Sequence, residues 1–310
     1  MTDWRKAAKA AAIVVFTLLL SGAKPAWAET AGVPPKKPAA KAAPAPAQCD
    51  PATFRVILDV GHTAAVPGAK SARGAYEYDF NLRLAKVIEH DLLDAGFART
   101  VLMITAEPPQ RGLFKRVSHA TGLSGDLFLS IHHDSVPDSF LEKWEYEGQE
   151  RYYCDRFQGH SIFVSSTNGA PNASLAFARL LGLQLKARGL RYTPHYTQAF
   201  MGYRRRQLLD AEAGVYRYDQ LVVLKGTRMP AALLEAGSIV NRDEELALMT
   251  AERQSTISAA VTDAVKELCA LRAPRPPGQM VRRALPTPAG HLPGSRPAAA
   301  VQSGPARAPR

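Results

Sequence analysis

VILDVGHTAAVPGAKSARGAYEYDFNLRLAKVI, residues 56–88, changes its hydrophobic period once along its length. The first part, traced back to Phe54, is a short apolar run rich in branched residues that stops at Gly61-His62. This predicts a strand over 54–60. After a Gly-containing loop, Leu84, Val87, Ile88 and Leu92 fall on one face of a helical period, predicting a helix over 78–95 that Gly96 stops. Working outward, further strands are expected at 100–105, 126–132, 160–166, 220–224 and 230–235. Helices are expected at 111–123, 172–188 and about 242–270. A polar, aromatic loop at 136–158 and a Tyr- and Arg-rich connection at 189–219 fill the gaps. Strands alternating with helices predict a single α/β domain with a largely covered sheet, spanning residues 49–272.

The flanks read differently. Residues 29–48 and 273–310 are rich in Pro, Ala and basic residues, and too poor in apolar side chains to offset the entropy of ordering. Both are expected to be disordered. They and the leader carry the entire net charge of +11, because residues 49–272 hold 26 basic and 26 acidic residues. A nucleic-acid-binding face on the domain is therefore not indicated. Residues 1–28 combine Arg5, Lys6 and Lys9, the apolar run Ala10–Leu20, and Ala26-Trp27-Ala28. That is the layout of a secretory signal peptide, with an uncleaved anchor as the alternative. The mature form is expected to be exported and not membrane-spanning. Cys49, Cys154 and Cys269 permit three single pairings, of which Cys49–Cys269 would clamp the two ends of the domain.

Three strands end on residues able to do chemistry: His62, His132 and Glu235. Glu77 lies where a loop enters the helix at 78–95. Ligands of open α/β sheets bind beyond the carboxyl ends of strands, so such residues can converge. Two His and one carboxylate make a catalytic zinc set with a position left for water. Glu235 is then free to carry protons as the general acid/base. Taken singly, each has a plainer reading: a hydrogen-bonding His, a helix-start carboxylate, a paired buried acid. His133 is an alternative ligand, but neighbours on a strand face opposite ways.

Residues 56–88 resemble the opening of the zinc-dependent N-acetylmuramoyl-L-alanine amidases of the Amidase_3 family. LFKRVSHATGLSGDLFLSIHHDS (113–135) and VLKGTRMPAALLEAGSIVNRDEE (223–245) are similar to that family's central and closing blocks. The likeness covers about residues 54–270. It implies a twisted mixed sheet covered by helices on both faces. It also implies one Zn2+ per chain on His62, Glu77 and His132, with Glu235 as catalytic residue. The implied reaction is hydrolysis of the amide between N-acetylmuramic acid and L-alanine in peptidoglycan, in the periplasm or cell envelope. Thr63, His133, Asp134 and Gly237-Ser238 depart from the family's usual residues, which bears on loop shape and substrate preference.

Peptidoglycan is the expected partner, and a protein activator in the envelope is a further candidate. The segment 136–160 carries Glu142, Glu145, Glu147 and Glu150, any of which could reach the metal if it folded over the site; an inert loop is the alternative. Tyr192, Tyr196, Phe200 and Tyr203 could stack on sugar rings or form a local cluster. A wall-binding protein without turnover would have no need of Glu235, and a hydrolase of another amide would cut within the peptide instead.

Overall fold

The computed structural model describes residues 49–106 and 109–272; the leader, the linker to residue 48 and the tail from 273 lie outside the described residues. The expected strand–helix alternation is present. β1 (Val56–Val60) leads to α1 (Glu77–Asp94), β2 (Val101–Met103), α2 (Pro109–Gly122) and β3 (Leu127–Asp134). A hairpin, β4 (Glu142–Tyr146) and β5 (Gln149–Tyr153), precedes β6 (Ser161–Val164) and α3 (Pro171–Ala187). Then come β7 (Gln207–Asp210), β8 (Val215–Arg217), α4 (Val222–Lys225), β9 (Ala231–Ser238), α5 (Arg242–Met249) and α6 (Ala251–Arg272).

Seven strands form one sheet in the order β2-β1-β3-β9-β6-β8-β7. β2, β1, β3 and β9 run parallel, β6 is antiparallel to β9, and β7 is antiparallel to β8. The sheet is therefore mixed and α/β, as the sequence suggests. Its central strands read as continuous apolar runs because both faces are covered. One face carries α1, α3 and α6, with Leu58, Ile131, Phe177 and Val261 in its core. The other carries α2 and α4 around Ile57, Phe128, Leu233 and Val223. Chain order reverses at β1, since β2 and β3 flank it on opposite sides. Such a switch point opens a crevice beyond the strand ends.

Three expectations are corrected. Residues 220–224 do not form a strand: Val222–Lys225 is a helical turn that packs against α2. A short apolar run fits a buried helical turn as well as a strand. The strand that flanks β6 on the side away from β9 is β8, inside the stretch read as a plain connection. Its hairpin turn is built by Asp210, whose Oδ1 accepts from the amides of Glu212 and Ala213, and by Gly214 at φ 67°. The last helix is two, broken at Thr250, whose hydroxyl donates to Ala247 O and accepts from the Arg253 amide. Cys49 and Cys269 are joined by a disulfide, Cα–Cα 5.4 Å, while Cys154 is free and buried. A bridge closing so long a loop contributes ~2–5 kcal/mol.

Candidate active site

The first strand delivers His62 through a constrained bend. Gly61 continues the ladder by donating to Ile131 O (3.0 Å), and His62 itself sits at φ 64°, a region costly for a residue with a Cβ. Arg116 of α2 stabilises that bend. Its Nη1 donates to Val60 O (2.7 Å) and Asp59 Oδ1 (2.9 Å), and its Nη2 donates to the His62 carbonyl. Asp59 is fully buried, and Ser130 Oγ donates to its other oxygen at 2.7 Å. Burial pushes the Asp59 carboxyl up, and the Arg116 charge opposes it.

Glu77 enters from the first turn of α1. The preceding loop folds back on that turn: Glu77 N donates to Ala69 O (2.9 Å) and Tyr78 N to Pro67 O (2.9 Å). The carboxylate thus lies between two imidazoles, Oε2 at 2.9 Å from His62 Nε2 and Oε1 at 3.0 Å from His132 Nδ1. Burial raises the Glu77 carboxyl, but the hydrogen bonds from His132 and His62 outweigh it and hold it well below the ordinary range. One donor atom from each of His62, Glu77 and His132 lies within 4.8 Å of the others, the spacing of groups able to share a cation. His133 is directed elsewhere. It lies on the α1 side of β3, where its Nδ1 meets Asn81 Oδ1 at 2.8 Å, and burial lowers its pKa to about 3. Strand alternation separates the two adjacent imidazoles.

Glu235 is next to His132 by register, the two residues pairing across β3 and β9. It is half-buried, and its Oε2 has no hydrogen-bond partner among the described residues. Burial, then the Asp134 and Glu77 carboxylates, push it well above the ordinary range. Asp134 accepts from the Tyr196 hydroxyl on both oxygens (2.8 Å each) and lies 3.9 Å from Arg204 Nη2. His62, His132, Glu235, Asp59 and Arg116 all line one cavity of about 510 Å3.

The segment 136–160 does not cover this cluster. β4 and β5 form a hairpin whose Trp144 Nε1 donates to Ala72 O (3.0 Å) and whose Trp144 and Tyr153 stack under Arg73 and Arg242. Glu142 accepts from Tyr153, and Glu150 from Lys143 and Tyr152, so those acids are engaged within the hairpin. None of its four glutamates belongs to the donor set. Of the four aromatics proposed for stacking, Tyr196 is buried against Asp134, Tyr192 packs on Tyr216, and Phe200 packs on Phe140 and Phe157. Tyr203 alone of the four is almost fully exposed, at 93%, and lines the cavity. His195 is buried and joined to Thr193 Oγ1 at 2.6 Å.

Sequence reading undervalued the Asp59–Arg116 pair, although one acid within VILDV is a visible anomaly in a buried strand. Replacing Arg116 with Met is expected to cost ~3–5 kcal/mol of stability, because it leaves Asp59 buried without its partner. Urea unfolding measures this; a loss within the ~0.5 kcal/mol of ordinary surface changes contradicts it.

The profile of the Amidase_3 family, N-acetylmuramoyl-L-alanine amidase, matches residues 56–267. No curated protein matches the chain at the sequence level. Among solved structures, the fold is similar to the N-acetylmuramyl-L-alanine amidase Ami1 of Mycobacterium smegmatis (TM-score 0.56, 18% identity, 72% of this chain and 100% of that one). It is also similar to Ami1 of Mycobacterium abscessus (TM-score 0.53, 19% identity, 70% and 99%). A third likeness is to the CwlD amidase of Clostridioides difficile, solved with the GerS lipoprotein (TM-score 0.50, 17% identity, 70% and 99%). With a match spanning most of its length, the chain belongs to the Amidase_3 family of N-acetylmuramoyl-L-alanine amidases, enzymes that hydrolyse peptidoglycan.

Proposed function

We propose that this protein cleaves the amide between N-acetylmuramic acid and L-alanine with one zinc ion on His62, Glu77 and His132, and with Glu235 as general acid/base. The single observation that carries the reading is the His-Glu-His donor cluster beside an unpartnered carboxyl oxygen in one cavity. The donor set has the chemistry of a catalytic zinc site, two nitrogens and one carboxylate. Room for it is built into the backbone. A Cβ on Gly61 would overlap the His132 ring, and one on Gly68 would meet Glu77 Oε2 at 2.5 Å and His62 Cδ2 at 2.7 Å. Both glycines therefore let the ligand side chains close together.

When bound, the metal would supply Lewis acidity toward the scissile carbonyl and a nucleophile at neutral pH. The remaining work falls to the chain. Glu77 would join both imidazoles as the third protein ligand, placed by the loop that folds back on the first turn of α1. Glu235 takes a proton from the attacking water and returns it to the departing nitrogen, which leaves poorly until protonated.

The reading includes export to the periplasm or cell envelope, with residues 1–28 as signal peptide, and service to peptidoglycan. No described helix is long and apolar enough to cross a membrane. CwlD was solved with a lipoprotein, and a protein activator remains part of the proposal for this chain. Incubating purified sacculi with the mature protein is expected to release intact stem peptides with free L-alanine amino termini, and chelation to abolish the release. Cuts within the stem peptide, or binding without release, would overturn the assignment.

A further inference from the structure

The same cavity runs from His62, His132 and Glu235 across Phe163, Leu233 and Val223 to a wall made by Arg204, Arg206 and Tyr218. The segment supplying this wall turns sharply at Gly202 (φ 53°, ψ −123°), between buried Met201 and exposed Tyr203. Of the cations near the wall, most are already engaged with acids. Arg116 pairs with Asp59 at 2.9 Å, Arg217 with Asp219 at 2.5 Å, and Arg204 approaches Asp134 at 3.9 Å.

Arg206 differs. Its guanidinium lies 3.8 Å over the Tyr218 ring, and its Nη1 donates to Tyr203 O (2.9 Å) and Arg205 O (3.0 Å). Its Nε is buried without a partner, and no carboxylate pairs with it among the described residues. A half-buried cation that is stacked, held on one side and uncompensated is arranged for an anion that the chain itself does not provide. Nη2, which makes no hydrogen bond among the described residues, is the nitrogen left to meet a carboxylate oxygen.

We propose that Arg206 is a specificity-determining residue that receives a carboxylate on the peptide side of the scissile amide. The inference rests on the amidase reading of the site. Charge assigns the side: the muramic half of the bond offers an acetamido group and hydroxyls, whereas the stem peptide carries free carboxylates. The apolar floor of Phe163, Leu233 and Val223 then faces aliphatic parts of the peptide, and Tyr218 keeps the guanidinium flat. Arg204, already shared with Asp134 and Ser135 O (3.2 Å), shapes the wall without offering a free charge.

The test uses the metal-loaded mature enzyme and two soluble glycan-linked stem peptides that differ only in whether the second residue's carboxyl is free or amidated. Wild-type enzyme is expected to prefer the free carboxyl by ~10–100-fold in kcat/KM, expressed mainly in KM, as befits one charge-assisted contact. Arg206→Gln should abolish that preference, bringing kcat/KM on the free-carboxyl peptide down to that on the amidated one. Arg206→Lys should restore part of it, keeping the charge without the planar guanidinium. Thermal unfolding of both variants controls for folding. Equal loss on both substrates, or a wild type indifferent to the carboxyl, overturns the assignment. Wild-type enzyme that cleaves neither peptide overturns the amidase reading and the assignment with it.

Discussion

Glu235→Gln is expected to lower hydrolysis of peptidoglycan ~10²–10⁴-fold, the usual contribution of one general acid/base, and to leave bound zinc unchanged. The substitution keeps shape and removes only the ability to exchange a proton. Its effect on the metal should be small because Glu235 stands outside the His62–Glu77–His132 donor set. Its effect on turnover should be large because no other acid is in its position. Asp134 is engaged by the Tyr196 hydroxyl on both oxygens, Glu77 by the two imidazoles, and Asp59 by Arg116 and Ser130. Among the described residues that line the cavity, Glu235 alone has a buried, unspent oxygen, Oε2. Initial rates on sacculi together with metal analysis of the variant check both halves. Full turnover would remove Glu235 from the mechanism, and lost zinc would make it a ligand.

The elements that position this site were legible because each has a strong local signal. β1 and β3 are mainly apolar runs, interrupted by Asp59 and Ser130, that lead into polar residues, and α1 has a helical face whose buried members include Leu84, Ile88 and Leu92. Strand alternation lets only one of His132 and His133 face the metal and the family resemblance selects His132; the side chains do lie on opposite sides of β3. What escaped the sequence depends on distant partners. Val222–Lys225 is helical because it packs against α2, a contact that no window around Gln220–Leu224 contains. The 136–160 segment could be read as a lid because its acids are visible, but its docking on Ala72 and Arg73 is a tertiary fact. Arg206 is one of many arginines in a basic connection; its lack of a counter-charge becomes visible only when its neighbours' pairings are known.

His132→Ala is expected to abolish stable zinc binding and, with it, hydrolysis. Second-shell changes alone typically weaken metal binding ~10–100-fold, and this variant removes one of three protein ligands. The remaining pair, His62 and Glu77, cannot close a tetrahedral site. The variant should stay folded, since the side chain lies at the strand end and is partly exposed, not in the core. Gly61→Ala probes the same contact without removing a donor. Its new Cβ would fall within the His132 imidazole, 2.5 Å from Cε1 and 2.6 Å from Cδ2, so the ring must leave its present position. That displacement keeps the donor but misplaces it, with an expected ~10–100-fold loss of affinity. Excess zinc should therefore restore much of the activity of Gly61→Ala and none of that of His132→Ala. Competition with a chromogenic chelator gives the affinities, and circular dichroism confirms the fold. Wild-type zinc affinity in His132→Ala would show that the metal sits elsewhere, because no rearrangement of His62 and Glu77 alone can replace the missing nitrogen.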